Sequence, residues 1–173
     1  MVHLVGLGGG GCNVLEYAIK QGFEATYTFV TSPERTNIPQ GAQFIDFTSP
    51  DYYYSDSIWY KEDIVLPEPL RRKLMKYTDN IIVVCIGGYA GTMLLKAILN
   101  YNWPEILNFR FIVGTPMNFE RREQKNIIRL IKILDMHGKI QIVPLEKICK
   151  TEGNNFSIDQ AFQLADSLMF SKI

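Results

Sequence analysis

Apolar residues come in short blocks along this chain, and the blocks switch between strand-like and helix-like spacing. Residues 2–6 form an apolar run closed by glycine, the pattern of a buried strand. Residues 13–21 place Val14, Leu15, Ala18 and Ile19 at helical spacing, with Gly22 as a stop signal. A second strand is predicted over 25–30 and a short third over 43–47, inside the least regular stretch, 31–60. A helix is predicted over 66–77, with Pro67 and Pro69 near its start. Residues 80–86 are the strongest strand in the chain, a continuous Ile/Val run. A helix over 91–100, a strand over 109–113 and a long helix over about 119–136 follow, the last with Ile127, Leu130, Ile131 and Leu134 on one face. A strand over 139–143, a polar linker over 152–156 and a helix over 158–170 complete the pattern. Strands alternating with helices predict an α/β fold, a Rossmann-like three-layer sandwich around a mostly parallel sheet, because right-handed crossovers place helices on both faces.

Length and charge narrow the picture. The 173 residues suit one domain spanning 1–173, and the 47% of hydrophobic residues can supply its core. Eighteen basic residues balance 18 acidic ones, so no net field recruits nucleic acid or an anionic membrane. The first residues lack a basic segment ahead of an apolar one, which argues against a signal peptide. No apolar run reaches the roughly 20 residues that span a bilayer. Cys12, Cys85 and Cys149 share no metal-ligand spacing. A cytoplasmic, reduced protein is expected.

Ligands of a doubly wound sheet bind beyond the carboxyl ends of its strands, and three informative segments fall at such ends. The first is Gly6-Leu7-Gly8-Gly9-Gly10-Gly11-Cys12-Asn13. Its glycines would let the backbone approach a ligand closely at a helix start, an arrangement suited to phosphate. One or two glycines suffice for a structural turn; five in six residues are more than a turn needs. The letters also satisfy G-x-G-x-x-G, but a dinucleotide site wants an acid at the end of strand two, where Val30-Thr31-Ser32 stand instead. The second segment is Gly87-Gly88-Tyr89-Ala90-Gly91-Thr92, a further glycine-rich turn opening a helix, in which Thr92 is either a ligand donor or a cap. The third is Gly114-Thr115-Pro116-Met117-Asn118-Phe119-Glu120, where Asn118 and Glu120 also fit ordinary helix-start roles.

Taken in this order, the segments resemble the FtsZ branch of the tubulin superfamily. Gly8-Gly9-Gly10-Gly11-Cys12-Asn13 is similar to its first phosphate loop, and Gly87-Gly88-Tyr89-Ala90-Gly91-Thr92-Met93 to its signature loop GGGTGTG. Thr115-Pro116-Met117-Asn118-Phe119-Glu120 resembles K-P-F-x-F-E, whose acid meets the ribose. Residues 140–145 resemble the strand and turn L-I-x-I-P-N-x-x-L, and Ala161-Phe162-Gln163-Leu164-Ala165-Asp166 resembles the A-F-x-x-A-D start of the central helix. The resemblance runs from Val2 to Ile173. It implies a nucleotide-binding domain of the tubulin type that takes GTP or GDP, with Phe162 stacking on guanine and Asp166 accepting its N1 and N2 protons. Gly8 to Gly11, Cys12, Asn13, Gly87, Gly88, Tyr89, Ala90, Gly91, Thr92, Asn118 and Glu120 would line the rest of the site.

The departures shape the functional expectation. Tyr89 and Ala90 stand where the family has Gly and Thr, and a tyrosine there either crowds the phosphates or lies over them. Thr31-Ser32-Pro33 replaces the usual N-T-D, Gln124 replaces an arginine, and no glycine-rich third phosphate loop is visible between Asp46 and Tyr60. The N-x-D-x-x-D loop that orients water in the next subunit's site is absent from the sequence. No Lys or Arg lies inside the glycine-rich loops, which leaves backbone N–H groups, helix dipoles and Mg²⁺ to balance phosphate. The expectation is a guanine-nucleotide-binding protein with weak or absent hydrolysis alone, whose partners are a second copy or another FtsZ/tubulin-like chain. The alternatives are an interaction module that kept the fold without its ligand, with Asp51, Tyr52, Tyr53, Tyr54, Trp59 and Tyr60 as its contact patch, and a dinucleotide-dependent enzyme. His3 and His137 look structural. On this reading Gly10→Val abolishes phosphate binding and leaves the sheet folded.

Overall fold

Five consecutive buried residues, His3–Leu7, form β1, one of the two central strands of a six-stranded sheet. The structure is a computed structural model that describes residues 1–34, 38–48, 63–117, 120, 132, 139–149 and 157–173. β1 pairs with β2 (Thr26–Thr31) on one side and β4 (Asp79–Cys85) on the other; both faces of the sheet are covered there, which is why Leu4, Val5 and Leu7 are apolar without alternation. β3 (Gln43–Asp46), β5 (Asn108–Gly114) and β6 (Ile140–Val143) extend the sheet in the order β3-β2-β1-β4-β5-β6. Every pairing among these strands is parallel. The expected α/β sandwich with a mostly parallel sheet is therefore present.

Helices cover both faces. α2 (Glu68–Lys76) and α3 (Tyr89–Asn100) bury Leu70, Leu74, Leu94, Leu95 and Ile98 in one core with Val5, Ile82, Val84 and Val113. α1 (Gly8–Lys20) and α5 (Ile158–Phe170) bury Val14, Leu15, Ala161, Ala165 and Met169 on the opposite face with Leu4, Phe29, Val83 and Ile112. A short α4 (Glu146–Cys149) follows β6 and was not expected. The predicted helix over 119–136, the linker over 152–156 and the aromatic patch at 52–60 lie outside the described residues, apart from Glu120 and Lys132.

Element boundaries differ most at α1. Spacing predicts its start at residue 13, whereas the helix begins at Gly8 directly after the strand. The glycines are its first turns rather than a loop before it. Gly8 makes the reversal with a positive φ of 68°, which a residue without Cβ adopts at little cost. α3 likewise starts at Tyr89, two residues earlier than predicted. α5 spans the residues predicted for it, and its start explains why. Ser157 Oγ accepts from the Gln160 N–H at 3.2 Å, and the Gln160 side chain accepts from the Ser157 N–H at 2.9 Å, a complete capping box.

The end of the sheet opposite the strand C-termini is pinned by one buried polar group. His3 is fully buried, with Nδ1 2.8 Å from Asn80 Oδ1 and Nε2 2.9 Å from Thr28 Oγ1, so it ties β1 to both neighbours. Asn80 spends its amide donors on the Leu74 and Tyr77 carbonyls, leaving Oδ1 as acceptor and placing the proton on Nδ1. Burial lowers the His3 pKa to about 4; the Asn80 bond opposes the shift, and the charge of Lys73 adds to it. The unfolded chain therefore binds a proton that the folded chain refuses. His3 contributes its full stability above pH 6.5 and loses it as pH falls towards 4. Denaturant titrations should show a loss of about 3 kcal/mol across that window, removed in His3→Gln.

Candidate functional site

The strand order reverses between β1 and β4, so the connections leave in opposite directions there and a crevice opens beyond the strand ends. A cavity of about 350 Å³ occupies this position. Its lining comes from the start of α1 (Gly8, Gly9, Gly10, Asn13), from β4 and the start of α3 (Cys85, Ile86, Gly88, Ala90, Gly91) and from the segments after β5 and β6 (Met117, Glu120, Leu145). Phe162, Ala165 and Asp166 of α5 close it. Residues from all three glycine- and threonine-bearing segments thus meet the last helix at one place.

Two helix starts form the first end of the cavity. Neither α1 nor α3 has a side-chain cap at its N-terminus, in contrast to α5. The two starts are packed backbone to backbone: a Cβ at Gly8 would lie 3.0 Å from the Gly91 nitrogen. Each helix N-terminus carries about half a positive charge, so this end is electropositive without any cationic side chain among the described lining residues.

Carboxylates mark the other end. Asp166 projects from α5, one turn after Phe162, and Glu120 follows β5. Glu120 Oε1 accepts from the Met117 N–H at 2.7 Å, closing its own turn. Cys85 lies between the ends, its Sγ 3.5 Å from Met169 Sδ. Burial, with the charges of Asp166 and Glu120 adding to it, pushes this thiol up to about 12, so it stays protonated and a poor nucleophile. The cavity is polarised, positive at the helix starts and negative towards α5.

Several expected site residues serve the scaffold. Gly11 admits no side chain because a Cβ there would run into the Val83 carbonyl. Gly10 faces Cys85, whose Cβ would sit 2.7 Å away, and Gly91 packs against Val84 and the Leu7 carbonyl. Only Gly9 and Gly88, among the lining glycines, have open space where a side chain would be. Much of the glycine richness therefore lets α1 and α3 press onto the strands. Cys12 is buried, its Sγ donating to the Gly6 carbonyl at 3.4 Å. Thr92 is buried and its Oγ1 accepts from the Gly87 N–H at 3.1 Å, so it holds the turn before α3. Gly11, Cys12, Gly87, Tyr89 and Thr92 do not line the cavity. Asn118 lies outside the described residues. Conversely, Cys85, Ile86, Met117, Leu145 and Ala165 line it and carry no chemical signature that sequence inspection could pick out.

The cavity's direction separates two kinds of nucleotide. No residue of β2 or β3 lines it; it runs from the helix starts towards β5, β6 and α5. A dinucleotide site uses the end of β2 for a ribose, and the cavity does not reach that strand.

Comparison with known proteins gives the fold an external reference. No protein-family model matches the chain, and no curated protein matches it. Solved structures do. An empty FtsZ dimer from M. jannaschii superposes with a TM-score of 0.70 at 19% identity, over 98% of this chain and 52% of that one. A point mutant of M. jannaschii FtsZ gives 0.71 at 17% identity, over 99% and 54%. CetZ from Methanosaeta thermophila gives 0.63 at 11% identity, over 98% and 52%. The chain spans about half the length of the solved structures it matches. Over nearly all of its length, this chain has the fold of FtsZ and CetZ.

Proposed function

We propose that this chain is a divergent FtsZ/tubulin-like domain that binds a guanine nucleotide, GTP or GDP, in the crevice between β1 and β4. The observation that supports this reading is the polarity of the cavity. Uncapped starts of α1 and α3 suit phosphate oxygens, and Asp166 at the opposite end suits the N–H edge of guanine. Phe162, 39% exposed at the cavity rim, is placed to stack on the base. Glu120, whose Oε1 accepts from the Met117 N–H, keeps a second carboxylate oxygen for a ribose hydroxyl.

Hydrolysis by these residues alone is proposed to be weak or absent. Phosphoryl transfer needs charge neutralisation and an oriented water, and among the described residues the lining has no Lys or Arg. Among the described residues no group of three or more His, Cys, Asp or Glu could hold a metal ion. No helix among the described residues is long and apolar enough to cross a membrane; a cytoplasmic location remains a proposal. One matching structure is an FtsZ dimer; self-association, or pairing with another FtsZ/tubulin-like chain, is the corresponding proposal for partners.

Thermal unfolding with added GDP, GTP, ATP or NAD tests the reading. A ligand at about 100 times its Kd stabilises the folded chain by about 2.7 kcal/mol. GDP or GTP should raise the Tm with concentration while ATP and NAD leave it unmoved. Stabilisation by NAD alone, or by none of the four, overturns the reading, and the second outcome favours an interaction module.

A further inference from the structure

We propose that a groove at the end of the sheet remote from the nucleotide crevice binds an extended acidic segment of a partner protein. The groove encloses about 390 Å³ between the starts of β5 and β6 and the turn that follows α5. Arg110, Lys139 and Lys172 line it together with Asn108, Ile112 and Gln141. Alternation along β5 sets which side chains face it. Phe109 and Phe111 are buried in the core beneath α2 and α3, so Asn108, Arg110 and Ile112 point to the opposite face, where Ile112 joins the core of α1 and α5. The register sets Phe111 opposite Ile140 and Ile112 opposite Gln141, which puts Gln141, and Lys139 two residues before it, on that face too. Lys172 reaches the same place from the turn after α5, where its N–H donates to the Met169 carbonyl at 3.0 Å.

The arrangement of the cations calls for an anion. Arg110 and Lys139 each stand one residue before the first pair of the β5–β6 ladder, Phe111 and Ile140, so they face each other across neighbouring strands. Like charges placed this way repel and cost stability, and a carboxylate between them replaces the repulsion with charge-assisted hydrogen bonds. Arg110, Lys139, Gln141 and Lys172 are all exposed. Arg110 gives one N–H to the Ile173 carbonyl at 3.5 Å, which leaves most of its guanidinium for a ligand. The shape of the groove suits an extended chain better than a compact anion. Its floor follows β5 from Asn108 to Ile112, about 13 Å at the usual strand rise. Asn108 donates to the Asp79 side chain at 3.3 Å and keeps its amide oxygen as an acceptor, and Gln141 adds a second amide that can pair with a peptide group. Cations for carboxylates and amides for peptide groups thus line one trough.

Fluorescence anisotropy of the full chain with a labelled hexapeptide of alternating glutamate and valine decides the matter. The glutamine counterpart should bind about tenfold more weakly or worse, and raising the salt from about 50 to about 200 mM should weaken the glutamate peptide several-fold. Arg110→Gln, Lys139→Gln and Lys172→Gln should each weaken it about tenfold. Arg72→Gln, on α2 at the other face of the sheet, should leave it unchanged. Lys139→Gln should melt no lower than the parent because it removes a repulsion, so lost binding there is not lost folding. A glutamate peptide that fails to bind, a glutamine peptide that binds equally, or variants that all bind like the parent overturn the proposal. Displacement of the peptide by millimolar inorganic phosphate, or by a single-stranded oligonucleotide, assigns the groove to another anion and overturns it as well.

Discussion

Gly9→Val should abolish nucleotide binding, weakening it more than about 100-fold, while the melting temperature of the ligand-free protein stays within about 2 °C of the parent. The position is the one glycine of the α1 start with no atom within 4 Å of where a Cβ would be. A valine there projects into the crevice over the helix N-terminus and meets only a ligand. Nothing in the fold opposes it, and valine is no worse than glycine as a helix residue, so the scaffold is unharmed or slightly more stable. Gly11→Val is the matched control with the reverse outcome. Its Cβ would collide with the Val83 carbonyl in the centre of the sheet, where backbone cannot yield without breaking the β4 ladder. The expected loss is about 3 kcal/mol or more, a large share of a small domain's stability. Calorimetry for binding and a thermal melt for stability read the two variants apart. A Gly9→Val protein that binds GDP like the parent would remove the helix start from the proposed site.

Gly10→Val is a less clean experiment than sequence alone suggests. A side chain at Gly10 meets Cys85 Cβ at 2.7 Å and Sγ at 2.8 Å, so loss of binding there would mix a blocked site with a displaced strand. The row of glycines reads as one signal in the sequence, yet the structure divides it. Gly8 reverses the chain and touches Gly91, Gly10 and Gly11 seat the helix on β4, and Gly9 alone faces empty space. The division depends on what lies across from each position, and that is a property of the packed sheet.

The same distinction explains what else was legible. β4 was visible because a strand buried on both faces must be a continuous apolar run, and α5 because Ser157 and Gln160 announce its first turn. Phe162 and Asp166, one turn apart, necessarily share a helix face once that helix exists, and both reach the cavity. The starts of α1 and α3 were misplaced because glycine and tyrosine are weak helix formers, overridden here by the tight junction between strand and helix. Met117, Leu145 and Ala165 are ordinary apolar residues whose place in the site comes from tertiary packing alone. Thr92 illustrates a second role: its hydroxyl suggests a ligand donor, and in the buried residue the same oxygen accepts from the Gly87 N–H and holds the turn.

Asp166→Asn should convert the site's preference from guanine to xanthine, and this outcome bears on the base-reading end of the crevice alone. A carboxylate only accepts, so Asp166 suits the two adjacent donors, N1–H and the N2 amino group, that guanine presents. An asparagine amide accepts through its oxygen and donates through its nitrogen. It suits an edge with one donor and one acceptor, as xanthine has, where a carbonyl replaces the amino group. Hydrogen bonds to a charged group contribute about 1.5–3 kcal/mol, so Asp166→Asn and Asp166→Ala should each weaken GDP by about 10- to 100-fold. Only Asp166→Asn should recover affinity with xanthosine diphosphate, because Asp166→Ala offers neither donor nor acceptor. Rescue by the matching base distinguishes direct reading from a general loosening of α5, which would weaken both nucleotides together. The substitution also removes one of the charges acting on Cys85, and the thiol should become slightly more acidic. Titration calorimetry with both diphosphates on both variants supplies the four affinities needed. If Asp166→Asn binds GDP as well as the parent does, the carboxylate does not read the base.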